Sequence, residues 1–187
     1  MMKTIFAQAK TDPKRIAYAE GEDLRVLRAV QIAVDENLAK PILVGRPAVI
    51  EANIKKLGLR LEDGVNITIV DQEKNPNYEK FADDYYQIMQ RRGVTPEYAQ
   101  REARRRSTLI AAMLVKHGLA DGMLCGTYSS YDIHLDFVRN VIGLKEGRST
   151  FFTLNALMLE DRNLFIADTY VNTNPTAEQL AEMTILA

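Results

Sequence analysis

The chain has 187 residues, 47% of them hydrophobic and 26% charged, with a net charge of −1. That suits one globular domain, or a large part of one, and provides no global field to draw in nucleic acid or a membrane surface. One cysteine, Cys125, and two histidines exclude an internal disulfide framework and argue against a structural zinc site; the expected compartment is reducing and cytoplasmic. No apolar run approaches the roughly 20 residues of a membrane span. The start, Met1-Met2-Lys3-Thr4-Ile5-Phe6, has no secretory pattern.

Strand and helix signals then alternate. Ile16–Ala19 reads as a short apolar strand, and Glu20-Gly21-Glu22-Asp23 as a polar turn that caps a helix carrying Leu24, Leu27 and Val34 at helical spacing. Lys40-Pro41 breaks that helix. Ile42–Val44 is the next buried strand, ended by Gly45. Ile50, Ile54 and Leu57 mark a helix that Gly58 stops. Val65–Val70 alternates as a strand does, and residues 71–77 are the one weak linker candidate. Phe81, Tyr85 and Ile88 mark a third helix. Thr95-Pro96 opens a helix predicted to run to about His117, with Thr95 as N-cap. Met123–Cys125 is a strand, 131–143 a helix, and 151–159 and 164–167 are apolar strands joined by the turn 160–163. Thr176-Ala177-Glu178-Gln179 has capping-box spacing for a last helix that reaches the chain end. The expected fold is α/β: three layers, with a mostly parallel sheet between helices.

Ligands of open α/β sheets bind where polar loops follow apolar strands. Two such junctions stand out, Thr127–Tyr131 and Asp168–Thr176. The P-loop pattern is absent, and so is the three-glycine dinucleotide turn. Gly118, Gly122 and Gly126 read as punctuation around a strand. Thr127, Ser129 and Ser130 offer hydroxyls and amides just before a helix, a setting that suits an anion or a plain helix cap. Gly-Thr-Tyr-Ser-Ser lacks the second glycine of a hydrolase nucleophile turn. His134, near Asp132 and Asp136, is either a base or a surface histidine. His117 sits at a helix C-terminus, where a cation is favoured. Cys125 reads as core. Arg91-Arg92 closes one helix; Arg101, Arg104 and Arg105 share a face of the next, suited to phosphate oxygens or to solvent. Asn172 and Asn174 either hold a carbonyl or phosphate, or Asn174 caps the last helix.

These segments resemble one family. Arg15–Asp23 with Arg25–Ala29 and Ala39–Gly45 is similar to the opening of the phosphate acetyl/butyryltransferases, the phosphotransacetylases. Ala120–Gly126 resembles that family's strand before its active-site loop, and Asp168–Ala181 its most distinctive stretch. The resemblance runs from about residue 13 onward. It implies a two-lobed α/β/α fold, usually dimeric, that moves an acyl group between coenzyme A and phosphate without metal. On that pattern residues 13–70 form first-lobe elements and 77–187 continue into the second lobe, with the family chain extending farther than Ala187.

The family's loop carries an arginine for phosphate or the acyl intermediate; an ungapped count from Gly126 puts Asp136 there, with Arg139 three residues on. Arg91 or Arg92 matches another cleft arginine. This loop variant resembles the C-terminal transferase-like domain of bacterial hybrid malic enzymes. The resemblance therefore implies a catalytically silent, acetyl-CoA-responsive regulatory and oligomerisation domain. Its partners are an N-terminal malic enzyme domain and further copies of itself, and NADP and a divalent metal belong to the other domain alone. The alternative is an active phosphate acyltransferase. The ligand-binding set is Arg91, Arg92, Thr127, Ser129, Ser130, Asp136, Arg139, Asn172 and Asn174, with no catalytic residue and no metal ligand expected.

Overall fold

The computed structural model describes residues 2–187, which form two compact units dividing between Ile142 and Gly143. The first is built on a four-stranded parallel sheet. Its strands are β1 (Lys14–Tyr18), β2 (Ala39–Val44), β3 (Thr68–Val70) and β4 (Gly122–Leu124), in the order β3-β2-β1-β4. The chain moves from β1 outward through β2 to β3, then returns to the other side of β1. The β1/β4 boundary is thus where the strand order reverses.

Alternation along the strands fixes the layers. Ala17, Ala19, Ile42 and Val44 face a core formed with α4 (Tyr78–Met89), α5 (Pro96–Arg105) and α6 (Ser107–Lys116). Tyr18 and Leu43 face the opposite way, onto Leu27 and Val30 of α2 (Leu24–Asp35) and Ile50 and Ile54 of α3 (Pro47–Leu57). The turn after β1 lies hard against β2. Gly21 donates its N–H to the Val44 carbonyl at 3.1 Å, and a Cβ there would come within 2.8 Å of that same oxygen.

The predicted single helix over 95–117 is two. Arg106 is extended (φ −108°, ψ 96°) and separates α5 from α6. The reason is burial: α5 buries only Ala99, Glu102 and Ala103, whereas Thr108 through Leu114 of α6 are all buried. The chain must bend to pass from surface to core. The strand predicted over 65–70 is short because Asn66 folds its side chain onto the backbone of Arg60 and Glu62. Strand β4 sits one residue earlier than expected. A helix the sequence reading did not anticipate, α1 (Met2–Thr11), buries no side chain; Lys10 pairs with Glu36 at 2.6 Å. The helix predicted over 131–143 is α7 (Tyr131–Phe137), which widens into a π-turn over Val138–Ile142. Residues 71–77 are the loop from β3 to α4.

The second unit holds an antiparallel hairpin, β5 (Leu154–Met158) with β6 (Asn163–Ala167), closed by the predicted turn, and α8 (Ala177–Leu186). Every residue of the two strands is exposed. Thr176 and Gln179 form the reciprocal capping box. No helix among the described residues is long and apolar enough to cross a membrane.

Candidate functional site

The carboxyl ends of β1 and β4 meet at the switch point, where open α/β sheets place their ligands. The Ala19 N–H donates to the Leu124 carbonyl at 2.9 Å and holds the two loops together. The next residue, Glu20, is only 4% exposed. Its carboxylate accepts from the Gly126 N–H at 3.0 Å and from the Thr127 hydroxyl at 3.5 Å. Gly126 has φ 102°, a conformation open to glycine and costly for other residues. The carboxylate and the glycine together therefore set the path of the β4–α7 loop.

His134 closes the network from below. It is 8% exposed, with Nε2 2.8 Å from the Tyr128 carbonyl and Nδ1 2.9 Å from the Thr108 hydroxyl. A carbonyl can only accept, so Nε2 carries a proton and donates. Glu20 Oε1 lies 3.9 Å from the same Nδ1. Nδ1 thus bonds the Thr108 hydroxyl, with Glu20 nearby but beyond hydrogen-bond distance, while Nε2 holds a carbonyl. His134 therefore ties α6 to the β4–α7 loop. The alternative of His134 as a surface histidine is corrected: α6 and the loop bury it.

Two arginine forks frame the edge. Arg46 makes paired bonds to Glu22, at 2.9 Å and 2.7 Å, and donates its backbone N–H to the same carboxylate. This holds the Glu22 carboxyl below its usual range. Arg25 grips Asp23, the N-cap of α2, whose pKa falls to about 2, chiefly through that side-chain hydrogen bond. Arg25 also donates to the Thr127 carbonyl at 3.2 Å. Burial, reinforced by Glu20 and Glu22, raises the Tyr128 hydroxyl. Burial, with Glu20 second, pushes the Cys125 thiol up to about 11, which makes it a poor nucleophile, as the core reading expects.

The predicted ligand set divides. Thr127 is in the network. Ser129 and Ser130 are exposed; Ser129 has φ 75°, and Ser130 stands at the N-cap of α7 without a side-chain cap bond. Asp136 is exposed on α7, and Arg139 is half-buried in the π-turn. Arg92 donates to the Asn140 side chain, which brings it beside Arg139 in the chain; Arg91 is exposed. Asn172 and Asn174 belong to the second unit. There Asn172 donates to the Phe151 carbonyl at 2.7 Å and to Asp168 at 2.8 Å, bonds that order its own loop. Thr176, not Asn174, caps α8.

Elsewhere, the Arg101 and Arg104 guanidinia lie over the Tyr98 and Tyr78 rings, 4.9 Å and 4.7 Å from the centroids. His117 stacks on Phe81 and has Nε2 2.8 Å from Asp84. Glu20 and Thr108 were missed in the sequence. For Glu20 the signal was there: a carboxylate directly after an apolar strand. Thr108 carried none. No acid–His–Cys cluster suited to a metal occurs among the described residues.

The sequence profile of the family described as phosphate acetyl/butaryl transferase matches residues 1–187. The NADP-dependent malic enzyme of Salmonella typhimurium is 50% identical over 186 residues, which is 100% of this chain and 24% of that protein. A phosphate acetyltransferase of Nitratidesulfovibrio vulgaris is 34% identical, over 98% of this chain and 25% of that protein. The chain thus spans about a quarter of the length of these relatives. Among solved structures, a phosphotransacetylase from Streptococcus pyogenes superposes with a TM-score of 0.86 at 28% identity, covering 99% of this chain and 56% of that one.

Proposed function

The chain belongs to the phosphate acetyl/butyryl transferase family, and from that premise we propose that it is the transferase-like regulatory and assembly domain of a hybrid malic enzyme. In this reading it responds to acetyl-CoA, associates with copies of itself and with a malic enzyme domain, and performs no acyl transfer. The parent decarboxylates malate oxidatively with NADP and a divalent metal held outside this chain.

The observation that carries the reading is the charge at the strand ends. Glu20, Glu22 and Asp23 come from the β1–α2 turn, and Asp132 and Asp136 stand on α7. The arginines fixed at this edge, Arg25 and Arg46, are already paired with Asp23 and Glu22. Phosphate and acyl phosphate are anions, and transfer between them and a thiol requires cations aimed at the phosphate oxygens. In this reading the arginines of this edge are engaged by Asp23 and Glu22 and are not presented to an anionic substrate. The 50% identity to a malic enzyme across the whole chain supports the choice of parent.

A second reading, an active phosphate acyltransferase, is favoured by Arg92 held against Asn140 next to Arg139, and by the 34% identity to a phosphate acetyltransferase. Calorimetry with acetyl-CoA, run beside an acetyl phosphate assay on the full parent polypeptide, separates them. The expected result is a binding isotherm, altered malate oxidation and no acetyl phosphate. Acetyl phosphate formation selects the second reading. Absence of any acetyl-CoA heat refutes both.

A further inference from the structure

A separate cavity of the first unit lies away from the strand ends described above. About 960 Å³ in volume, it runs along the edge strand β3 from the amino ends of the strands and shares no lining residue with the Glu20–His134 network. Ile42, Val70 and Leu114 give it apolar walls, and the loop 74–77 lines its border. We propose that this groove is a binding site for a small amphiphilic carboxylate, with the chain of the ligand on the apolar wall and its head group near Asn75 and Lys40.

Three observations carry this. The first is Asn75, which lines the groove and is 8% exposed. Its Oδ1 accepts from the Asn77 N–H at 2.9 Å, a turn that fixes which way the amide faces. Its Nδ2 is then left as a buried donor with no acceptor among the described residues. An unsatisfied buried donor carries an uncompensated desolvation cost, and an acceptor oxygen relieves it.

The second is charge. Lys40 and Lys74 line the groove, and neither forms an ion pair among the described residues. Arg15 is engaged with Asp121. Asp71, the acidic group there, caps a turn by accepting from the Glu73 N–H at 2.8 Å. The balance favours an anionic head.

The third concerns the rival occupant, an extended peptide added to the edge of the sheet. The Ile69 N–H donates to Asp63 Oδ1 at 2.7 Å. A side chain thus occupies a backbone donor of β3, and the edge is blunted against strand addition. A compact ligand against the wall is left as the fit; the volume lies within the ordinary range for small-molecule sites.

Octanoate titrated into the isotopically labelled chain tests this by nuclear magnetic resonance. Saturable shifts are expected at Lys40, Ile42, Asn75 and Leu114, and octan-1-ol should bind at least about tenfold more weakly. Asn75→Asp keeps the acceptor for Asn77 while turning the donor into an anion, and should weaken octanoate by about tenfold or more. Lys40→Glu, at an exposed position, gives the same direction without touching the turn and keeps the test decisive if Asn75→Asp fails to fold. The proposal is overturned by no shifts at those residues up to about 10 mM, by equal binding of octanol, or by wild-type affinity in Lys40→Glu. Acetyl-CoA heats are read on a different ligand, so failure of this site and failure of the proposed function are distinguishable.

Discussion

Removal of the Glu20 carboxylate gives a quantitative test of what holds the loop after β4. Glu20→Ala strips the acceptor from the Gly126 N–H, a 3.0 Å bond to a charged group. Such bonds contribute about 1.5–3 kcal/mol. The 3.5 Å contact to Thr127 is at the outer limit of hydrogen bonding and adds little. The expected loss is therefore about 2 kcal/mol. At roughly 2–4 °C per kcal/mol for a chain of this size, Tm should fall by about 4–8 °C. Glu20→Gln keeps an oxygen opposite Gly126 and loses only the charge, so its cost should be nearer 1 kcal/mol. Differential scanning calorimetry reads the pair of Tm values, and amide exchange at Gly126 reads the cause. Protection at Gly126 should vanish in the alanine variant and survive in the glutamine variant. Equal Tm values for all three proteins, with unchanged Gly126 exchange, would refute the claim that Glu20 sets the loop.

Two further outcomes follow from the titrating groups. Asp121 is pulled down from 3.8 to about 2, first by the Arg15 side chain and then by its backbone N–H. A depressed carboxylate contributes stability above its unfolded pKa, and that contribution is lost as pH falls through the folded one. The Tm advantage of wild type over Arg15→Met should thus be flat at neutral pH and shrink between about pH 4 and 2; an advantage that grows on acidification contradicts it. For Cys125, the rise from 9.0 to about 11 lowers the thiolate fraction about 100-fold at a given pH below both values. Iodoacetamide at pH 8 should label it about two orders of magnitude more slowly than a free cysteine, and labelling at the free rate would contradict that burial.

Much of the fold is legible in the sequence because its signals are local. The Thr176–Gln179 capping box, the Pro96 helix start and the apolar run Ile16–Ala19 each involve residues within a few positions. The break at Arg106 is not local. Residues 95–117 have good helical propensity throughout, and only the demand that α6 enter the core while α5 stays on the surface forces the bend. Helix α1 buries nothing, so no apolar face announced it. The candidate site divides on the same line. Thr127 is readable from its place after a strand. The contacts of Glu20 with Gly126 and of Thr108 with His134 span 106 and 26 residues, and they exist only once the sheet order brings β1 beside β4 and α6 against α7.

That network also bears on the proposed silence of this domain as a transferase. The β4–α7 loop is tied down at three points: Gly126 by Glu20, the Thr127 carbonyl by Arg25, and the Tyr128 carbonyl by His134. Acyl transfer asks the loop to present donors to an anion. Here one donor, the Gly126 N–H, faces a carboxylate of the chain itself, and two carbonyls are turned toward cationic or N–H partners. With Asp136 exposed on the following helix, an added arginine there would change the charge of the loop but leave Gly126 engaged. On the proposed reading, absence of transfer is therefore better assigned to the loop as a unit than to one side chain, and Asp136→Arg alone should not create acyl phosphate turnover.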